Sequence, residues 1–254
     1  MRIVIKIGSN ALTNDAGRLN EKVIAGLTNK ICQIMSDGHN VVLITSGAVS
    51  TGRSTTTIDT KLIKGGNTVV KQLLASVGQP RLMQCYAESF DKNEIDCAQI
   101  LLTRRDFEET KRSNRLHRLI DSMLKIGIVP VINENDALSS EELKNTFADN
   151  DHLAALVSIL IGADKLIVLT DVDGFFDGPV NDHSSKVVPV IKNIDGYINV
   201  VDDSTSNGCG GMTSKLRTAK LVTNNGINMH IGNGKKPHIL FEILKGSAGT
   251  FFPC

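Results

Sequence analysis

Two lysines lie where their ammonium groups could hold an anion. Lys6 interrupts an apolar run, Ile5-Lys6-Ile7, and is followed by Gly8. A charge inside an apolar strand is costly unless it meets a counter-charge, and a glycine lets a ligand approach the backbone closely. The same residues also fit a lysine whose long stem reaches water from the end of a strand, and the short motif leaves both interpretations open.

A glycine-rich segment carries the second lysine. It reads Asn207-Gly208-Cys209-Gly210-Gly211-Met212-Thr213-Ser214-Lys215 and runs into a predicted helix. This segment predicts a phosphate site, because it combines glycine N–H groups that can converge, the positive end of a helix dipole and the Lys215 ammonium. The alternative, a flexible loop with a capping hydroxyl, is less favoured because of the position of the lysine. The spacing GxxxxGK[ST] does not occur in the sequence, so the loop is not of the Walker type.

Amides and carboxylates crowd two further segments, Asn133-Glu134-Asn135-Asp136 and Asp149-Asn150-Asp151-His152. Together they offer the donors and acceptors that a zwitterionic amino acid requires. One of the residues 149–151 is expected to cap the helix that begins near Leu153, and a further carboxylate is expected to hold the lysines. Two turns are uninformative alone, namely Thr45-Ser46-Gly47-Ala48 and Leu169-Thr170-Asp171-Val172-Asp173-Gly174. The second turn lacks the glycine and the glutamate that a calcium loop requires.

The elements that must position these residues alternate along the chain. Short β-branched runs predict strands at residues 2–7, 41–45, 128–132, 166–170 and 227–231. Three-to-four spacing of apolar residues predicts helices at 19–35, 69–90, 110–125, 151–161, 212–225 and 237–244, the last led by Pro237. This order predicts an α/β/α sandwich with a parallel sheet, whose ligand lies beyond the carboxyl ends of the strands.

Composition narrows the class of protein. The 254 residues carry 28 Lys+Arg against 27 Asp+Glu, and a net charge of +1 argues against nucleic acid or an anionic membrane as the main partner. No apolar run reaches the roughly 18 residues of a membrane span, so a soluble, intracellular protein is expected. Five cysteines without CxxC spacing predict reduced thiols rather than disulfides or a zinc site, and the six histidines form no recognisable ligand or catalytic set.

Eight blocks in this order resemble one family. They are KIGSNAL, TSGAVSTG, KQLLASVGQPRLM, LLTRRD, VINENDA, DNDHLAA, LTDVDG and GGMTSK, and they resemble the amino-acid kinase family over essentially the whole chain. The blocks NENDA and QLLASVGQ favour the branch that phosphorylates the side-chain carboxylate of L-glutamate over the branches that act on N-acetylglutamate, aspartate or UMP.

The resemblance implies a mainly parallel sheet of about eight strands, one domain over residues 1–254, and no C-terminal PUA domain. It implies a cytoplasmic enzyme that transfers the γ-phosphoryl of ATP, with Mg²⁺ arriving on the ATP and no metal site of its own, in the first step of proline biosynthesis. Catalytic roles fall on Lys6, Lys215 and, orienting them, Asp151. ATP would be bound by Lys6, Gly8, Ser9, Thr170, Asp171, Cys209, Gly210, Gly211, Met212, Thr213, Ser214 and Lys215. Glutamate would be bound by Ser46, Gly47, Asn133, Asp136 and Asn150.

Partners are expected on the same ground. They are proline as a feedback inhibitor, further copies in a homo-oligomer, and glutamyl-phosphate reductase. The loop 52–67 is either a mobile segment beside the glutamate pocket or an ordinary surface loop. The chain departs from the family pattern at Cys209, where threonine is usual, and by two additional residues between NENDA and DNDHL. The alternative to a kinase is a non-catalytic amino-acid sensor, which would have no use for both Lys6 and Lys215.

Overall fold

A seven-stranded sheet forms the centre of the protein. The computed structural model describes residues 1–14, 18–57, 59, 66–138, 147, 149–179, 182, 184–198 and 211–254. The strands in these ranges are β1 (Arg2–Ile7), β2 (Asn40–Ile44), β3 (Cys97–Leu102), β4 (Val129–Glu134), β5 (Lys165–Thr170), β6 (Asn228–Asn233) and β7 (Thr250–Phe252). They lie in the order β3-β4-β2-β1-β5-β6-β7, and every pair is parallel except β6 with β7.

Helices cover both faces of the sheet. They are α1 (Ser9–Leu12), α2 (Glu21–Ser36), α3 (Ala48–Thr55), α4 (Gly66–Asp91), α5 (Arg105–Glu108), α6 (Thr110–Lys125), α7 (Asn150–Leu160), α8 (Asp195–Ile198), α9 (Met212–Thr223) and α10 (Ile239–Leu244). Helices α6, α7 and α9 share one apolar core with the sheet, and α2, α4 and α10 share the other. The predicted three-layer, mainly parallel sandwich is therefore confirmed, with seven strands in the described ranges where the resemblance implied about eight.

The sheet directs alternate side chains of β1 to opposite layers. Ile3, Ile5 and Ile7 enter the core with α2 and α10, whereas Val4 enters the core with α7 and α9. Lys6 follows the Val4 side, so its side chain extends toward the layer that contains α7 and α9.

Two strands were not predicted, and one helix begins later than predicted. The strands are β3, which is a half-buried edge strand with a polar Gln99 at its centre, and β7, which has only three residues. Pro237 precedes helix α10 and does not open it, since the helix begins at Ile239 with His238 as its N-cap. The loop proposed for 52–67 is helical at both ends, and its residues 58 and 60–65 lie outside the described ranges.

Helices α3 and α4 approach each other at two glycines. A Cβ on Gly78 would lie 1.9 Å from the Ala48 carbonyl oxygen, and a Cβ on Gly52 would lie 1.9 Å from the Leu74 carbonyl oxygen. Side chains larger than hydrogen are sterically excluded at both positions. This contact brings the middle of α4 to the carboxyl end of β2, where α3 begins.

In the described part of the chain, no helix is long and apolar enough to cross a membrane. Four cysteines there are free thiols, namely Cys32, Cys85, Cys97 and Cys254. Burial raises the pKa of the thiols of Cys32, Cys85 and Cys97, which makes them less reactive toward oxidants.

Candidate active site

Lys6, Asp151 and Lys215 form a buried cluster at the carboxyl ends of the strands. The Lys6 Nζ lies 2.5 Å from Asp151 Oδ1, and the Lys215 Nζ lies 3.0 Å from Asp151 Oδ2. Asp151 is fully buried, and each lysine is 6% exposed. Lys6 is therefore not a strand-end lysine whose ammonium reaches water. The three residues come from β1, the first turn of α7 and the first turn of α9.

The lysine cluster places two ammonium groups beside one carboxylate. Burial by itself raises the pKa of the Asp151 carboxyl, but the two ammonium groups outweigh burial, and the net effect lowers that pKa. The two ammonium groups thus lie close together in a site shielded from water. Ammonium groups bind phosphate and carboxylate oxygens through charge-assisted hydrogen bonds, so the cluster favours an anionic ligand.

Asp149 joins the beginnings of α7 and α9. Its Oδ1 accepts hydrogen bonds from the N–H groups of Asp151 (2.8 Å) and His152 (2.9 Å), so Asp149 is the N-cap that was expected among residues 149–151. The Ser214 hydroxyl, in the first turn of α9, donates to the other carboxylate oxygen of Asp149. Helix α9 begins after Gly211, and two positive helix ends thus face the same region as the lysine cluster.

The glycine-rich segment is described only in part. Gly211 is the N-cap of α9, and Met212, Thr213, Ser214 and Lys215 form its first turn. Cys209 and Gly210 lie outside the described residues, as do most of the residues between NENDA and DNDHL.

The ends of β1 and β5 lie next to each other beside the lysines. The Gly8 N–H donates to the Leu169 carbonyl at 3.0 Å, and a Cβ on Gly8 would lie 3.8 Å from the Lys6 Nζ. Ser9 begins α1 directly after Gly8. This pairing leaves the Gly8 backbone adjacent to the ammonium group.

Thr170 is the last residue of β5, and Asp171 follows it. The Asp171 carboxylate accepts from the Thr170 hydroxyl at 3.1 Å and from the Asn10 amide at 3.2 Å. Partial burial acts to raise the pKa of Asp171, but these hydrogen bonds outweigh it and the pKa is lowered. Asp171 is exposed directly after the carboxyl end of β5.

An amide cluster also contacts the first turn of α7. The Asn150 Nδ2 lies within hydrogen-bond distance of the Thr45 carbonyl (2.8 Å), the Ser46 hydroxyl (2.8 Å) and the Asn133 Oδ1 (2.9 Å). The Asn133 Nδ2 in turn donates to the Gln79 Oε1 at 2.9 Å. The ends of β2 and β4, the start of α7 and the middle of α4 are thereby linked in one polar network.

Gly47 and Asp136 border this network. Gly47 has a φ of +100°, a left-handed conformation that favours glycine, and it is the N-cap of α3 directly after Ser46. Burial and the neighbouring Glu134 raise the pKa of the Asp136 carboxyl to about 6, although Lys71 partly offsets them. A cationic ligand group beside Asp136 would favour its ionised form.

Asn150 and Asp151 are consecutive residues, so the amide cluster and the lysine cluster adjoin at the start of α7. Of the residues expected to act on a substrate, the structure joins Lys6, Asp151 and Lys215 in one cluster. It joins Ser46, Asn133 and Asn150 in the other. Sequence reasoning missed Gln79 as part of this site. The signal was Gly78-Gln79-Pro80 inside a helical pattern, where glycine and proline are both unfavourable.

Comparison with known proteins identifies the family. Residues 1–233 match the amino acid kinase family, and the chain belongs to it. The glutamate 5-kinase of Clostridium perfringens is 40% identical over 258 residues, which cover 99% of this chain and 94% of that protein. Glutamate 5-kinase 1 of Bacillus licheniformis is 41% identical over 261 residues, covering 98% of this chain and 68% of that protein.

Solved structures agree on the fold. The UMP kinase of Bacillus anthracis matches with a TM-score of 0.67 at 17% identity, over 99% of this chain and 95% of that one. The carbamate kinase of Giardia lamblia, bound to AMP-PNP, matches with a TM-score of 0.67 at 15% identity, over 99% and 98% of the two chains. At these identities the likeness is one of fold.

Proposed function

We propose that this protein transfers the γ-phosphoryl group of ATP to the side-chain carboxylate of L-glutamate, giving L-glutamyl 5-phosphate for proline biosynthesis. The family and the glutamate 5-kinase relatives support the reaction. The observation that carries it in this chain is the junction at Asn150 and Asp151. One residue belongs to a network suited to an amino acid, and the next holds two ammonium groups suited to a phosphoryl group.

On the nucleotide side, Lys215 and the start of α9 would hold the phosphates. Gly8 and Ser9 would line the junction with the acceptor, while Thr170, Asp171 and the segment 209–214 would bind the rest of ATP. Two ammonium groups repel a bare cation but suit a polyphosphate, so Mg²⁺ fits this site as part of an ATP complex. When bound, Mg²⁺ would neutralise charge on the phosphate oxygens.

On the acceptor side, the Asp136 carboxylate would pair with the α-ammonium group of glutamate. Ser46, Gly47, Asn133 and Asn150 would meet the remaining polar atoms. N-acetylglutamate has no ammonium group, so Asp136 would favour the free amino acid over the acetylated one. The side-chain carboxylate would then extend toward Lys6.

The reaction needs alignment and positive charge more than a base. A glutamate carboxylate has a reference pKa of about 4.3, so it is ionised and nucleophilic near pH 7. One of its oxygens forms a bond to the γ-phosphorus as the bond from that phosphorus to the β,γ-bridging oxygen breaks, and ADP leaves. Lys6 and Lys215, each bonded to one oxygen of Asp151, would stabilise the charge on the transferring group. Preorganised groups of this kind contribute roughly 10²- to 10³-fold each.

The experiment is a hydroxamate assay on the purified protein with ATP, Mg²⁺ and hydroxylamine. Glutamate is expected to give glutamyl hydroxamate, while N-acetylglutamate and aspartate are expected to give far less. Product from N-acetylglutamate alone would move the protein to another branch of the family. Binding of glutamate without turnover on any of the three acceptors would favour an amino-acid sensor.

We also propose that residues 1–254 form one kinase domain, because the sheet draws its strands from Arg2 to Phe252. Inhibition by proline, self-assembly and association with glutamyl-phosphate reductase remain proposals from family resemblance. Titrating proline against glutamate saturation tests the first, since a competitive effector would raise the KM for glutamate.

A further inference from the structure

Helix α4 is built unusually around Gln79. Gly78 precedes it and lies against the backbone of α3, and Pro80 follows it inside the helix. Both neighbours weaken a helix interior, because glycine adds backbone freedom and proline lacks an N–H donor. Local rules of helix stability are most often broken where a site requires it. The glycine contact draws Gln79 inward, where it is only 8% exposed.

Gln79 determines which way the Asn133 amide faces. Its Oε1 accepts from the Asn133 Nδ2 at 2.9 Å. The Asn133 Oδ1 is then free to accept from the Asn150 Nδ2 and from the Glu134 N–H, both at 2.9 Å. A rotated Asn133 amide would place its NH₂ group against those two donors. Gln79 therefore acts on Asn150 through Asn133.

The amide network does not pair all of its own polar atoms. Two of its buried polar atoms have no hydrogen-bond partner among the described residues, the Gln79 Nε2 and the Asn150 Oδ1. One is a donor and the other is an acceptor. A cluster with a purely structural role would normally satisfy such groups, because each one left unpaired is unfavourable. A zwitterion supplies both an acceptor and a donor, so the unpaired atoms point to a ligand at the amide cluster.

We propose that Gln79 is a positioning residue of the amino-acid subsite, where its hydrogen bond to Asn133 orients the Asn150 amide for glutamate. The proposal rests on the function proposed above and gives the QLLASVGQ block a role. The hydrogen bond of Gln79 places it in the amide cluster, which is proposed to bind the acceptor. It should therefore affect glutamate binding and leave the nucleotide and the chemical step unchanged.

The test compares three variants with the wild-type protein. Gln79→Met removes the hydrogen bond at nearly constant volume. Gln79→Glu keeps an oxygen that accepts from Asn133, since a glutamic acid buried there stays protonated near neutral pH. Gln84→Met is the matched control, because Gln84 lies on the same helix with its side chain exposed. Steady-state kinetics and urea unfolding are measured for each.

Gln79→Met is expected to raise the KM for glutamate about tenfold, the equivalent of one to two lost hydrogen bonds. Its kcat and its KM for ATP should stay within about twofold of wild type. Gln79→Glu should have a KM for glutamate within about threefold of wild type, and Gln84→Met should have the wild-type KM. An unchanged KM in Gln79→Met, or equal losses in kcat and in both KM values, would overturn the proposal.

A double variant and a substitute variant complete the test. Adding Gln79→Met to Asn133→Ala should raise the KM little beyond that of Asn133→Ala alone, because both changes break one chain of contacts, and full additivity would contradict this. If Gln79→Met does not fold, Gln79→Asn serves instead, since it withdraws the amide by one C–C bond length; an unchanged KM there also overturns the proposal. Failure of wild type to phosphorylate glutamate would reject the proposed function itself.

Discussion

Asp151→Asn separates the structural and catalytic roles of the lysine cluster. The fully buried carboxylate lies 2.5 Å from the Lys6 Nζ and 3.0 Å from the Lys215 Nζ. An isosteric amide would remove the negative charge that the two buried ammonium groups share. Removing one partner of a buried ion pair costs about 3–5 kcal/mol. That is a large part of a typical unfolding free energy of about 5–15 kcal/mol.

Urea unfolding monitored by circular dichroism measures this loss at pH 7. The pKa of Asp151 is lowered in the folded protein, so its contribution is present above the unfolded value of about 3.9 and is lost as the pH falls through the folded value. The stability difference between wild type and Asp151→Asn should therefore persist at pH 5 and disappear only in strong acid. Adding ATP with Mg²⁺ should narrow the difference at pH 7, because the triphosphate becomes the missing counter-charge.

Lys215→Met is the reciprocal variant. It leaves the Lys6–Asp151 ion pair intact, so the loss of stability should be smaller than in Asp151→Asn. Turnover should still fall by roughly 10²- to 10³-fold, because one preorganised positive charge is gone. If Asp151→Asn unfolds within about 0.5 kcal/mol of wild type, or Lys215→Met retains normal turnover, the roles assigned to this cluster are wrong.

Three further changes test other parts of the structure. Gly78→Ala places a Cβ 1.9 Å from the Ala48 carbonyl oxygen and should lower the thermal unfolding midpoint, with a cost of about 1–3 kcal/mol or more; an unchanged midpoint would show that α3 and α4 can separate freely. Asp136 has a pKa of about 6, so it destabilises the fold progressively as the pH rises from about 4 through 6. Asp136→Asn should consequently be more stable than wild type at pH 7 but not at pH 4, while its KM for glutamate rises; equal stability at both pH values would contradict the burial of this carboxyl. Asn20→Ala removes the side-chain acceptor for the Val23 N–H at the start of α2 and should cost about 1 kcal/mol in urea unfolding with turnover unchanged, and any loss of turnover would argue against a purely local cap.

The sequence predicted the fold best where hydrophobic patterns were long. Helix α6 was predicted with its observed bounds, Thr110–Lys125, because its apolar residues recur at helical spacing on one face. Strand β3 has no such pattern, since it is an edge strand of mixed burial, and its existence depends on pairing with β4 across the chain. Tertiary context, absent from any local pattern, decides elements of this kind.

The difference between local pattern and tertiary context also applies to the site. Lys215 could be predicted from its residues, because a lysine after a glycine-rich segment favours an anion. The short motif around Lys6 left two interpretations open, and the family resemblance favoured the anion. Local pattern did not identify Asp149 as the cap, because all three polar residues of 149–151 suit a helix start. The family resemblance gave Asp151 the role of lysine partner, and the packing of α7 against β1 and α9 distinguishes the two carboxylates in the structure. Gln79 was missed because its contact with Asn133 joins residues 54 positions apart.

The most direct test of the central claim follows an oxygen atom. Glutamate labelled with ¹⁸O in its side-chain carboxylate is turned over with ATP, Mg²⁺ and hydroxylamine, and the released phosphate is analysed by ³¹P NMR. If the carboxylate attacks the γ-phosphorus, its oxygen becomes the bridging atom and leaves with phosphate when hydroxylamine attacks the acyl carbon. We expect one ¹⁸O atom in each phosphate formed with glutamyl hydroxamate, whereas unlabelled phosphate would show that water is the acceptor and would contradict the proposed function.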